Sequence, residues 1–82
     1  MATVRIVAVP ENRRDTTTEV EETVRGFRGA TAVIAKDLRQ TATHDFRNRV
    51  MRQWAKCGKS GGFAIREKHF DVWYSFEYQE GK

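Results

Sequence analysis

The chain has 82 residues, of which 39% are hydrophobic, 32% charged and 11% aromatic, with a formal net charge of +4. That length supports one hydrophobic core, hence a single domain over 1–82, and the aromatic share excludes a disordered tail. No apolar run approaches the ~20 residues of a bilayer span, Arg5 interrupts any hydrophobic leader after Met1, and the lone Cys57 excludes a disulfide framework. A reducing compartment is therefore expected, the cytoplasm of a bacterial cell or of an infected host, with no membrane partner. A core this small is marginal on burial alone, so self-association into a homo-oligomer is kept open as a remedy. The positive charge sits in the middle of the chain: residues 29–60 carry seven bases against two acids, whereas 15–28 carry four acids against two bases.

Residues 3–9 alternate Val4, Ile6 and Ala8 with Arg5, Val7 and Val9, giving a strand that is partly apolar on both faces and ends at Pro10. Glu11 to Asp15 is a polar connection. Residues 16–25 combine four threonines with two valines. A helix there would align Val20, Val24 and Phe27 behind a Thr16–Glu19 capping box. The β-branched residues and Gly26 weigh against it, and a strand is expected, with Thr18, Val20 and Val24 inward and Glu22 on the wrong side. Gly26-Phe27-Arg28-Gly29 reads as a tight turn into a further strand over 30–36, with Val33 and Ala35 opposite Ile34. The first 36 residues thus predict a three-stranded antiparallel meander.

The clearest element is a helix over 43–57. At ~100° per residue Phe46, Val50, Trp54 and Cys57 share one sector, flanked by Met51. Leu38 falls off that sector, so the helix begins near Thr41 or Thr43, with Asp45 favourable to the helix dipole and Gly58 as the stop. Lys59 to Gly62 reads as a mobile loop. Residues 63–66 and 71–78 follow as strands joined through Glu67 to Phe70, with Val72, Tyr74, Phe76 and Tyr78 on one face and Trp73, Ser75 and Glu77 on the other. The predicted frame is β-β-β-α-β-β, an α+β fold with one amphipathic helix packed across one antiparallel sheet.

Chemistry-bearing patterns are few. Arg49, Arg52 and Lys56 recur at i, i+3 and i+7 opposite the apolar sector, and Lys59 continues the charge into the loop. Such a stripe can lie along phosphates, each cation displacing a condensed counterion. It can equally be a solvated face, with Asp45 neutralising Arg49 at i+4, or meet an acidic protein partner. Arg47 lies between Trp54 and Met51 on the helical wheel, where its stem can cover the indole while its head reaches water; the alternative is a partner-contacting arginine beside a large aromatic. Trp73 sits among polar neighbours, either covering a second small core or offering a ring to a base or a partner.

Enzyme patterns fail on inspection. Gly58-Lys59-Ser60 resembles the end of a P-loop, but the required earlier glycine is Gln53, and the helix precedes the motif rather than following it. Cys57 lies in the last helical turn, where the dipole disfavours a thiolate, and His44 is ~20 Å away at the other end. His69 has no third group to complete a triad, and Glu21-Glu22 has no surrounding pocket. One cysteine and two histidines do not make a structural zinc site. No catalytic residue, metal or cofactor is expected.

In size and economy the chain resembles the small accessory proteins of phages and mobile elements. These include DNA-binding regulators and inhibitors of host defence nucleases such as anti-CRISPR proteins. The likeness is one of style across the whole chain, without a shared motif. Two functions follow as expectations. One is a basic binding module that contacts nucleic acid, or a nucleic-acid-bearing complex, through Arg47, Arg49, Arg52, Lys56, Lys59 and Trp73. The other is an inhibitor or adaptor that docks on a host defence protein complex by protein–protein contacts.

Overall fold

A computed structural model of the chain describes residues 1–12, 17–58 and 62–81. The elements run β1 (Ala2–Pro10), β2 (Thr18–Val24), α1 (Phe27–Thr41), α2 (His44–Cys57), β3 (Phe63–His69) and β4 (Val72–Glu80). The four strands form one antiparallel sheet in the order β2-β1-β4-β3, so the first and last strands pair at its centre.

Alternation sorts every strand between two faces. The register aligns Val4, Glu22, Tyr78 and Phe63 in one row and Ile6, Val20, Phe76 and Ile65 in the next. Most of this face is apolar, and both helices cover it. α1 buries Ala30, Ile34 and Leu38, and α2 buries Phe46, Val50 and Trp54, in one core with Val4, Ile6, Ile65, Phe76 and Tyr78. α1 lies over β1 and β2, and α2 lies beside β3. Among the described residues no helix lies over the opposite face.

The strand expected over 30–36 is part of helix α1, so the meander is replaced by a hairpin and the single helix by two. Ala30, Ile34 and Leu38 recur every four residues, which gathers them on one helical stripe. A strand would split Ile34 from Val33 and leave Leu38 unused. Burial of that stripe outweighs the β propensity of Thr31, Val33 and Ile34. The helix start is poorly signalled: Gly26 at the N-cap supplies no side-chain hydrogen bond, and the first turn holds no acid. Gly29 sits in that turn because a Cβ there would come within 3.1 Å of Val24 Cβ, where α1 crosses β2.

The remaining elements follow the sequence reading more closely. β2 turns Val20 and Val24 toward the helices with Glu22 between them. α2 begins at the N-cap Thr43, whose hydroxyl accepts from Phe46 N–H at 3.4 Å. Gly58 ends α2 with φ −62°, in the right-handed region. Its smallness serves close approach instead, since a Cβ would fall 2.5 Å from the Phe27 ring. β3 and β4 are longer than expected and are joined by only Phe70 and Asp71, closing on the His69–Val72 pair.

Candidate functional site

α2 sends Arg49, Arg52 and Lys56 outward on the flank next to β3, all three exposed. Arg49 bridges to that strand: its Nε lies 3.4 Å from Glu67 Oε2, and its Nη2 donates to the Lys68 carbonyl at 3.4 Å. Its guanidinium also lies 5.3 Å from the Phe46 ring centroid. The neutralising acid is thus Glu67, across the helix–strand gap, and not Asp45. Arg52 and Lys56 have no ion pair among the described residues. With Arg49, Gln53 and Glu67 they line a shallow hollow. Lys59 lies outside the described residues, as does the loop expected around it.

Arg47 does not join this stripe. It is half-buried, and its Nη2 donates to His44 Nδ1 at 2.9 Å, which requires that ring nitrogen to be unprotonated. Trp73 is on the helix-free face of the sheet, across from α2. It too is half-buried, with Arg66 Cζ 4.6 Å and Lys68 Nζ 5.9 Å from its ring centroid. Lys68 also pairs with Glu11 at 2.7 Å, whereas Arg66 has no ion pair among the described residues. The described members of the predicted set therefore fall into three places: a stripe on α2, Arg47 with His44, and Trp73 with two cations.

Arg66, Lys68 and Phe70 are absent from the sequence-based set. The signal for the first two was alternation: continuing the strand past Arg66 puts both on the Trp73 face, and the register pairs Lys68 directly with Trp73. Phe70 is 75% exposed at the hairpin tip with φ 54°, which periodicity does not reveal. The tip is fixed from both sides. Glu11 N–H donates to the Asp71 carbonyl at 2.7 Å, and His69 stacks on Phe46 at 4.3 Å while its Nε2 accepts from Thr43 N–H at 3.5 Å.

The far edge of the sheet is acidic. Glu19, Glu21 and Glu22 are exposed on β2. Arg5 of β1 donates from Nε to Glu19 at 2.8 Å and lies 3.7 Å from Glu77 through Nη1. The hydrogen bond from Arg5 holds the Glu19 carboxyl below its ordinary value, and the same bond raises the Arg5 guanidinium. Between β2 and α1 a trough of about 380 Å³ is lined by Val20, Val33, Glu22, Lys36 and Asp37, and partial burial raises the Asp37 carboxyl. Among the described residues its lining includes no histidine, serine or cysteine.

Among the described residues no three His, Cys, Asp or Glu side chains gather as a metal site. Among the same residues no helix is long and apolar enough to cross a membrane. His69 and Cys57 lie at opposite ends of α2, since His69 meets the N-cap and Cys57 is the last helical residue. No protein-family model, curated protein or solved structure matches the chain.

Proposed function

We propose that the chain is a non-enzymatic nucleic-acid-binding module that grips phosphates along the edge made by α2 and β3. The observation that carries this reading is the segregation of charge across the sheet. Arg49, Arg52 and Lys56 on α2 flank the edge strand β3 on one side of the sheet and Arg66 and Lys68 flank it on the other, while Glu19, Glu21 and Glu22 occupy the opposite edge strand β2. Acids placed there are separated by the width of the sheet from a polyanion bound at the far edge. Arg52, Lys56 and Arg66 are the least neutralised of these cations and are the principal phosphate contacts. Arg49 and Lys68 must first loosen from Glu67 and Glu11, exposed pairs worth little in water.

The test is fluorescence anisotropy with labelled oligonucleotides at two ionic strengths. About four phosphate contacts give a slope of log K against log[salt] of roughly −3 to −4, with little sequence preference. Reversing Arg49, Arg52 and Lys56 to Glu abolishes binding while leaving the circular dichroism spectrum intact, since exposed substitutions shift stability by no more than ~0.5 kcal/mol each. A folded triple variant that binds like the parent overturns the proposal.

A second reading is favoured by the acids of β2: docking on a protein complex, as an inhibitor or adaptor, with the acidic and basic edges meeting complementary patches. There nuclease treatment leaves a captured partner bound, and the salt slope is shallow.

A further inference from the structure

We infer that the helix-free sheet face, at the end carrying the β3–β4 hairpin, binds the bases of a single-stranded nucleic acid on Trp73, with the Phe70 ring at the hairpin tip as a second stacking surface. The inference rests on the proposed phosphate-binding edge and says which form of nucleic acid that edge accepts. An antiparallel sheet face left to water is expected to be polar. Here Val7 and Val9 of β1 share the face with Trp73, and Val9, directly opposite Trp73, is 42% exposed. Phe70 stands at the hairpin tip, where its ring lies 4.4 Å from that of His69, which stacks on Phe46 on the helix side of the sheet. Its φ of 54° lies in the left-handed region, at the turn position where glycine is ordinarily favoured. The ring meets His69 on one side and is still 75% exposed, so most of its surface is open to a ligand at the tip.

The charge around the rings fits a nucleic acid. Arg66 lies over the Trp73 ring at 4.6 Å, an exposed cation–π contact that is weaker than the stacking of a base on an aromatic ring. An arriving base displaces the guanidinium, which then turns to the adjacent phosphate. Both products of the exchange are favourable: a stacked base and a charge-assisted hydrogen bond.

Geometry selects the single strand. Trp73, Arg66 and Lys68 are on one side of the sheet, and the α2 stripe is on the other, with the β3 edge between them. A chain touching both must turn around the edge of one sheet. A duplex, with a persistence length of ~50 nm, does not make that turn, and its bases have no free ring face. A single strand does both. β3, seven residues long, gives an edge of roughly 20 Å, enough for about four extended nucleotides.

The experiment uses the full chain, a fluorescein-labelled 12-nucleotide oligo-dT, and a 12-base-pair duplex at the same low ionic strength. Trp54 is 1% exposed, so tryptophan quenching on binding reports Trp73. The single strand binds at least about tenfold tighter than the duplex and quenches the fluorescence. Trp73→Ala loses about tenfold on the single strand and little on the duplex, while Trp73→Phe keeps most of the affinity and loses the quench. Phe70→Gly weakens single-strand binding without lowering the melting temperature, because glycine suits the backbone there, which separates a binding loss from unfolding. Equal affinity for both forms, with Trp73→Ala unchanged, overturns this inference and leaves the phosphate edge standing. Binding of neither form overturns the edge, and this inference with it.

Discussion

Trp54 is the strongest single test of how α2 is seated. Its indole is 1% exposed and stacks on Phe27 at 5.4 Å, and its Nε1 donates to Thr31 Oγ1 at 3.0 Å. That hydroxyl in turn donates to the Phe27 carbonyl at 2.9 Å, so Thr31 receives from α2 and gives to its own helix. Truncating Trp54 to Ala empties the centre of the core and costs ~3–5 kcal/mol, against a total of about 4–12 kcal/mol for a domain of this size. Trp54→Ala therefore loses a large part of its stability and melts well below the parent. Milder substitutions isolate the hydrogen bond. Trp54→Phe keeps a buried ring but loses the donor, for about 1–2 kcal/mol, and Thr31→Val strands a buried indole N–H at about 1–3 kcal/mol. In the double variant neither partner remains unpaired, so its loss falls short of the sum by about 1 kcal/mol. Urea unfolding followed by circular dichroism at 222 nm, with an unchanged m-value, measures all four corners. Additivity within ~0.3 kcal/mol, or a Trp54→Ala variant that melts like the parent, refutes this seating of α2 on α1.

Two further substitutions probe the packing and the trough. Gly58→Ala forces a Cβ to within 2.5 Å of the Phe27 ring, so it destabilises by roughly 1–3 kcal/mol through overpacking; a melting temperature equal to the parent's means that the ring withdraws freely. Asp37→Asn raises the melting temperature at neutral pH. Burial raises the folded carboxyl above its unfolded value. The folded state therefore holds the proton more tightly, and stability falls as pH rises from the ordinary carboxylate range through the raised value. The asparagine variant escapes that loss, and its advantage disappears at about pH 3, where Asp37 is protonated in both states. An advantage that persists there assigns the gain to something other than charge.

The legible parts of the fold were those in which pattern and propensity agree. In α2 the apolar spacing, the Thr43 cap, Asp45 in the first turn and the glycine stop all agree, and the helix lies where they put it. In β1 and β4 the alternation identified both faces, including the side on which Trp73 lies. α1 was illegible because its local signals conflict. Two glycines frame its first turn, no acid or capping side chain marks its start, and Thr31, Val33 and Ile34 favour strands. Only the Ala30, Ile34, Leu38 spacing pointed to a helix, and its reward lies in a sheet surface built from both chain ends. The candidate site was legible for the same reason in part. The α2 stripe follows from periodicity within one element, but its continuation onto Arg66 and Lys68 depends on β3 lying beside α2, a tertiary fact.

The helix-free face shows why one region of this small surface is the better candidate for binding. At one end, Arg5 is held between Glu19 and Glu77, with Glu21, Thr3, Thr23 and Gln79 completing a polar, net acidic surface. Water solvates it well, and a charged ligand would have to break pairs to enter. At the other end the neighbours of Trp73 are Val7, Val9, Arg66 and Lys68, and among the described residues only Lys68 of these is paired with an acid. Apolar side chains held open to water cost stability without helping the fold. The fold places them beside cations at an edge strand, where Lys and Arg already serve to discourage strand addition. Guarding the edge accounts for the cations but not for Trp73 or for Phe70 in its left-handed turn. A ligand with both flat apolar rings and regularly spaced negative charge accounts for all of them.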